Sequence, residues 1–261
     1  MMMKPKLRIW WLIIGLIACG PLHLAAQDTT TVRVLFVGNS FTYFYNLPQV
    51  VMAMAESQGA NIETRQSTVG GSNLEQHWKS EKGTHTMELL ESGKWDYVVF
   101  NNHSTSSLDT PESFMEYGGK FADLVREKGG EPIFMLTWAY KSNPLMQTEI
   151  TEMHERLAKE NSAGFVPAGP IFAAARKWRP DIELFFDDKH PSANGTYLLG
   201  LAFYKYFTGS TTANIPPRLL TKDLNGEKLY LLFMHLQEAD FLQQLVDDFT
   251  FDTLSIPVKN D

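Results

Sequence analysis

Three stretches of this chain, residues 32–37 (VRVLFV), 96–101 (DYVVFN) and 132–137 (PIFMLT), are near-continuous runs of apolar, mostly branched or aromatic side chains, interrupted only at or next to their ends by Arg33, Asp96, Asn101 and Thr137. A strand with one face in water alternates apolar and polar residues, whereas a strand covered on both faces does not. Each run therefore reads as a strand sandwiched between two layers. Residues 61–68 alternate weakly and residues 165–168 form a short apolar run, which gives two further strands. Helical spacing fills the intervals. It covers residues 47–57, ended by Gly59, and residues 72–78, where Ser72 with Glu75 reads as a capping box. It continues over 111–128, with proline first and Gly129-Gly130 after, and over 144–159, 171–178 and 191–207. Strands alternating with helices predict an α/β chain whose parallel sheet is covered by helices on both faces.

The N-terminus reads as a leader. Lys4, Lys6 and Arg8 precede a short apolar run at residues 9–18, well below the ~20 residues that a membrane span needs. Leu24-Ala25-Ala26 before Gln27 reads as a signal-peptidase site. Leu16-Ile17-Ala18-Cys19 also resembles a lipobox; the leader would then end before Cys19, and a lipid on that residue would be the only membrane tie. Both readings put the mature chain outside the cytosol, in the periplasm or cell envelope. The expected organisation is a leader over 1–26, one α/β domain over 30–209, and a C-terminal helical extension over 210–261 packed on it. The amphipathic pattern of residues 220–249, interleaved with Asp, Glu and Gln, supports packing rather than a membrane face.

Cys19 is the only cysteine, so the mature chain has no disulfide, thiolate metal site or thiol nucleophile. A formal net charge of −7 argues against nucleic acid as a partner, because phosphate binding wants clustered Lys and Arg. His77, His85, His154 and His235 show no metal-ligand spacing and read as surface or helix residues. Neither a metal nor a cofactor is expected.

In parallel sheets, ligands bind beyond the carboxyl ends of the strands. Polar residues stand at each of those ends: Gly38-Asn39-Ser40, Gly70-Gly71-Ser72, Asn101-Asn102-His103-Ser104, Thr137-Trp138 and, one helix later, Asp187-Asp188-Lys189-His190. Taken alone, Ser40 would be an N-cap. Taken with the others, the set fits acyl transfer. A serine hydroxyl needs a general base, which His190 can supply, and an acid to hold that imidazole, for which Asp187 is better spaced than Asp188. The oxyanion needs preplaced donors, each worth ~3 kcal/mol. The Ser40 and Gly71 N–H groups are candidates, completed by a side chain, His103 or Asn102. Phe41, Tyr43, Phe44 and Tyr45 read mostly as core, with one or two of them as candidate walls of the acyl pocket, and Trp138 is balanced between pocket wall and packing. Gly38-Asn39-Ser40-Phe41-Thr42 lacks the final glycine of G-x-S-x-G and is not that nucleophile elbow.

GNSFTY, the Gly70-Gly71 turn, residues 101–104 and DDKHPS together resemble, in order, the four blocks of the SGNH (GDSL-like) hydrolases. The resemblance spans roughly residues 32–207. It implies an α/β three-layer sandwich with a parallel, flavodoxin-like sheet. Ser40 then matches the nucleophile, His190 and Asp187 the rest of the triad, and Gly71 an oxyanion donor. One block departs: the family usually shows G-x-N-D after strand three, and His103 stands where that asparagine would be. For an exported member the resemblance implies a serine esterase, with O-acetyl groups on carbohydrate or glycan as the expected substrate. The alternatives are a lipase or lysophospholipase on the same fold, and a glycan-binding envelope protein without turnover.

Overall fold

A computed structural model describes residues 31–251, so the proposed leader with Cys19 and the last residues, 252–261, lie outside the described part. In chain order the elements are β1 (Val32–Gly38), α1 (Ser40–Tyr43), α2 (Leu47–Ser57), β2 (Ile62–Thr68), α3 (Leu74–Trp78), α4 (Thr86–Ser92), β3 (Tyr97–Phe100), α5 (Ser106–Asp109) and α6 (Pro111–Glu127). They continue with β4 (Glu131–Met135), α7 (Gln147–Glu160), β5 (Gly164–Val166), α8 (Ala168–Trp178), α9 (Ala193–Thr208), β6 (Arg218–Lys222), β7 (Lys228–Phe233) and α10 (Leu236–Asp248).

β1 to β5 form one sheet in the order β2-β1-β3-β4-β5, parallel throughout. That is the flavodoxin-like strand order, and the architecture is the expected three-layer sandwich. β1 shows why its sequence has no polar alternation. Val34 and Phe36 enter one core with α2, α8 and α9, while Leu35 and Val37 enter the other with α6 and α7. Successive side chains point to opposite faces, and both faces are dry.

Two elements differ from the sequence reading. The capping box of α3 is made by Asn73 and Gln76, one residue later than Ser72 and Glu75; Ser72 instead turns its hydroxyl to the carbonyls of Gly38 and Val69. Residues 220–249 are not one helical pattern. β6 and β7 pair as an antiparallel hairpin, and only α10 is helical. The hairpin turns at Asn225-Gly226, with Gly226 at φ +81° and Asp223 Oδ1 accepting the Asn225 and Glu227 N–H groups. Asn-Gly between apolar runs is a strong hairpin signal, and it outweighs the 3.6-residue pattern. α10 packs on α8 and α9 through Ala239, Leu242 and Val246. No helix among the described residues is long and apolar enough to cross a membrane.

Candidate active site

The strand order reverses direction between β1 and β3, and the crevice beyond such a switch point is where open α/β sheets place ligands. Ser40 follows β1 and His103 follows β3, so the topology sets both at that crevice.

Ser40 is the first residue of α1, not its cap. Asn39 takes extended dihedrals and its Oδ1 accepts the Phe41 N–H at 3.1 Å, so Asn39 is the cap and the Ser40 hydroxyl is left for another partner. The Asn39 Nδ2 donates to the Ser72 and Asn102 carbonyls at 3.0 Å each, and its backbone N–H donates to Asn101 Oδ1 at 3.2 Å. One buried amide thereby joins the ends of β1 and β3 and the loop after β2. Gly38 makes this approach possible: a Cβ there would lie 2.6 Å from Asn101 Oδ1.

His77 supports the same junction from below. Its Nε2 lies 3.0 Å from the Gly38 carbonyl and 2.8 Å from Ser72 Oγ, and its Nδ1 lies 2.6 Å from Thr86 Oγ1. A carbonyl only accepts, so Nε2 carries the proton. Burial pushes the ring's pKa down to about 4, against the Gly38 bond that favours the proton. His154, enclosed in α7, is likewise pushed down to about 4 by burial. Both residues lie in helices, as expected, but neither is at the surface. The apolar neighbours that bury them come from distant parts of the chain.

His190 arrives from the loop before α9. Its Nε2 is 2.9 Å from Ser40 Oγ and its Nδ1 is 2.8 Å from Asp187 Oδ2. Asp187 also folds its own loop, since Oδ1 accepts the Lys189 and His190 N–H groups at 2.8 Å each. Burial acts to raise the Asp187 carboxyl, but the His190 N–H, the His190 ring and the Lys189 N–H outweigh it and hold it at about 2. Asp188 points elsewhere: its carboxylate takes the N–H and hydroxyl of Ser142 at 2.8 Å each. The choice between the two acids is thus decided by geometry. Trp138 is core, stacked between Phe41 and Phe172 and 1% exposed, yet its indole N–H donates to the Lys189 carbonyl at 2.8 Å. It packs and also anchors the His190 loop. Phe44 stacks on the His190 ring at 4.3 Å and 9°. Sequence reasoning missed the roles of Asn39, Asn101, His77 and the Trp138 N–H; each depends on a partner far away in the chain.

Ser40, His190, Gly71, His103, Phe44 and Lys189 are among the residues lining a cleft of about 410 Å³. Gly71 has φ +64°, a left-handed conformation that glycine adopts without cost, and among the described residues its N–H has no intramolecular backbone acceptor. Asn102 is 7% exposed and its Oδ1 accepts from Leu74 N–H, His103 N–H and the Ser106 hydroxyl, which fixes the amide, while among the described residues its Nδ2, the atom that can donate to an oxyanion, has no intramolecular acceptor. His103 lines the cleft. Burial lowers its pKa, Lys189 and Lys82 add to that effect, and Asp109 opposes it. A neutral imidazole with a ring N–H is the form this environment favours.

Chemically, the Ser40–His190–Asp187 relay can move a proton from hydroxyl to imidazole while the carboxylate stabilises the resulting cation. Ser40, Gly71 and His103 line the same cleft, and their N–H groups, with Asn102 Nδ2 beside them, are of the kind that can donate to a developing oxyanion. Among the described residues, no group of three or more His, Cys, Asp or Glu could hold a metal ion.

No protein-family model and no curated protein matches the sequence. Solved structures do match the fold. A protein of Slackia heliotrinireducens assigned to the SGNH hydrolases is 23% identical, covering 68% of this chain and 100% of its own, with a TM-score of 0.59. A DUF4886 family protein from Bacteroides uniformis is 18% identical over 86% of this chain and 99% of its own, with a TM-score of 0.68. An acetyl xylan esterase from Geobacillus stearothermophilus is 17% identical over 68% of this chain and 94% of its own, with a TM-score of 0.53. With sheet order, switch-point cleft and these neighbours in agreement, the chain has the fold of the SGNH (GDSL-like) hydrolases.

Proposed function

We propose that the protein is an exported serine esterase that removes small acyl groups, acetyl above all, from carbohydrate. The observation that carries this reading is the unbroken hydrogen-bond chain Ser40 Oγ–His190 Nε2, His190 Nδ1–Asp187 Oδ2. In the first step the Ser40 oxygen bonds to the ester carbonyl carbon as its proton passes to His190 Nε2. The carbonyl oxygen takes up the charge against the Ser40 and Gly71 N–H groups and His103. The C–O bond to the alcohol then breaks, and the alcohol leaves with the proton from His190. Water, deprotonated by His190, adds to the acyl-Ser40 and releases the acid.

Carbohydrate and acetyl are supported by the polar lining of the cleft, where Asn39, His103, Ser104 and Lys189 stand around Ser40, and by the acetyl xylan esterases among the neighbours. Export rests on the leader-like residues 1–26. The end of β3 supports turnover over a binding-only role, because His103 or the Asn102 amide offers a side-chain donor there although the G-x-N-D pattern is absent.

The test is a fluorophosphonate probe on the purified protein, followed by acetate release from acetylated xylan oligosaccharides. Labelling and acetate release that both vanish in Ser40→Ala are expected. An unlabelled wild-type protein that releases no acetate would refute the esterase reading. A p-nitrophenyl series peaking at eight carbons or longer would replace acetyl with a lipase-type substrate.

A further inference from the structure

Two ammonium groups stand at the rim of the cleft without carboxylate partners. Lys82 Nζ donates to the Gly71 carbonyl at 3.1 Å, and a Cβ built on Gly71 would lie 3.9 Å from it. Lys82 has φ +54° and is followed by Gly83 at φ +76°, a turn that returns the side chain over the glycine loop. Lys189 lines the cleft beside His190. Its Nζ is 5.8 Å from the centre of the Tyr140 ring, and the Tyr140 hydroxyl bonds at 2.8 Å to Ser104, another cleft residue.

Lys79, Lys120, Lys128 and Lys141 are matched with Glu75, Glu116, Glu91 and Glu183. Among the described residues Lys94, Lys159, Lys177, Lys205, Lys222 and Lys228 have no such partner, so what sets Lys82 and Lys189 apart is their place at the cleft. Among the described residues, no carboxylate lies within ion-pair distance of Lys82 or Lys189. The nearby acids are committed or set aside. Asp187 holds His190, and Asp188 is bound by Ser142. Asp109 is exposed at the end of α5 and acts on His103 from there. The fields of both lysines reach His103, so both act on the same space. In a chain of net charge −7, a cleft with two unmatched cations is a local arrangement that focuses an anion onto the site.

We infer that the cleft selects esters whose alcohol moiety carries an anionic group, a carboxylate or a sulfate, with Lys82 and Lys189 as the residues that read it. This rests on the esterase reading above and names the substrate class of the same site. The leaving alcohol must meet His190 to take its proton, and Lys189 is the adjacent residue on the same rim. An acidic sugar there sets its charge between Lys189 and Lys82 while the Tyr140 and Ser104 hydroxyls remain for its neutral oxygens.

The experiment compares kcat/KM on matched acetyl esters: acetylated methyl glucoside, the corresponding glucuronoside, and the glucoside 6-sulfate, each at low salt and at 0.5 M NaCl. The expected result is a preference of about tenfold or more for one or both anionic esters at low salt, which shrinks in high salt. Each of Lys82→Gln and Lys189→Gln lowers the anionic-to-neutral ratio about fivefold. Lys189→Glu lowers it further. The identity of the preferred anion separates carboxylate from sulfate. Equal rates on all three esters, or a ratio that ignores salt and both substitutions, overturn this inference and leave the esterase reading standing. No hydrolysis of any ester, together with no fluorophosphonate labelling, overturns the esterase reading and takes this inference with it.

Discussion

Ser40 and His190 meet at 2.9 Å, but the two sides of that hydrogen bond are built differently. The Ser40 side is held by tertiary structure. Asn39 is 3% exposed and joins three segments, Gly38 and Asn101 are in close approach, and His77 sits fully enclosed beneath. The His190 side is held mostly by its own loop. Asp187 binds two N–H groups two and three residues further on, and the loop is tied down by the Trp138 N–H, by Ser142 on Asp188 and by a bridge from Phe185 to Pro191. The proposed nucleophile is thus fixed wherever the sheet is, while the proposed base is fixed by a tethered turn. A change in the buried network that holds Ser40 should cost folding, whereas one in the loop that holds His190 should cost rate and leave the fold intact.

The largest effects fall on the relay itself. Ser40→Ala and His190→Ala should each lower kcat/KM on an activated acetyl ester by about 10⁴-fold or more, with little change in urea midpoint. Asp187→Asn should lower kcat by about 10²- to 10⁴-fold, because an amide no longer stabilises the imidazolium. If Asp187→Asn unfolds the protein, the His190 side is more structural than the comparison holds.

Next comes Asn39→Ala. It removes an N-cap, leaves the Ser72 carbonyl without a donor and takes one of two donors from the Asn102 carbonyl, for a stability loss of about 2–3 kcal/mol by urea unfolding. Asp188→Asn, the counterpart on the loop, should cost less than about 1 kcal/mol because its partner Ser142 is exposed. Equal losses for the two would break the comparison.

The pH dependence of folding sharpens it. His77 and His154 have folded pKa values of about 4, below the ordinary 6.5. Between those values the unfolded chain binds protons that the folded chain refuses, so stability is complete above pH 6.5 and falls as pH drops toward 4. The effect is of the order of a few kcal/mol for each ring. A urea midpoint that declines from pH 7 to 5 is expected, with a shallower decline in His154→Leu. A flat midpoint would mean that these rings are not sealed from water. Smallest of all, Trp138→Phe keeps the stacking on Phe41 and Phe172 and removes one hydrogen bond to the His190 loop. A few-fold drop in kcat is expected, at a stability cost of about 1 kcal/mol.

The sequence exposed the strands of the sheet because β1, β3 and β4 are buried on both faces, and a doubly buried strand must be apolar throughout. It exposed Ser40, Asp187 and His190 because parallel strands deliver their carboxyl ends to one rim, and because Asp187 and His190 are close enough in sequence to bond locally. The hairpin at 218–233 was hidden for another reason. Its Asn225-Gly226 turn lies inside an amphipathic stretch, and the periodic signal of the stretch masked the turn.

What only tertiary structure decided is how each polar group is used. The sequence offered Asn102 or His103 as a donor; the packing of α3 and α5 against Asn102 engages its Oδ1 and fixes the amide with its Nδ2 unspent, while His103 lines the cleft. The sequence offered Asp187 or Asp188; contact between the β4 loop and the His190 loop claims Asp188. Sequence fixes which residues can donate, accept or ionise, because that is covalent chemistry. Which of them is buried, which is already bonded and which is left to meet a ligand depends on neighbours that only the folded chain supplies.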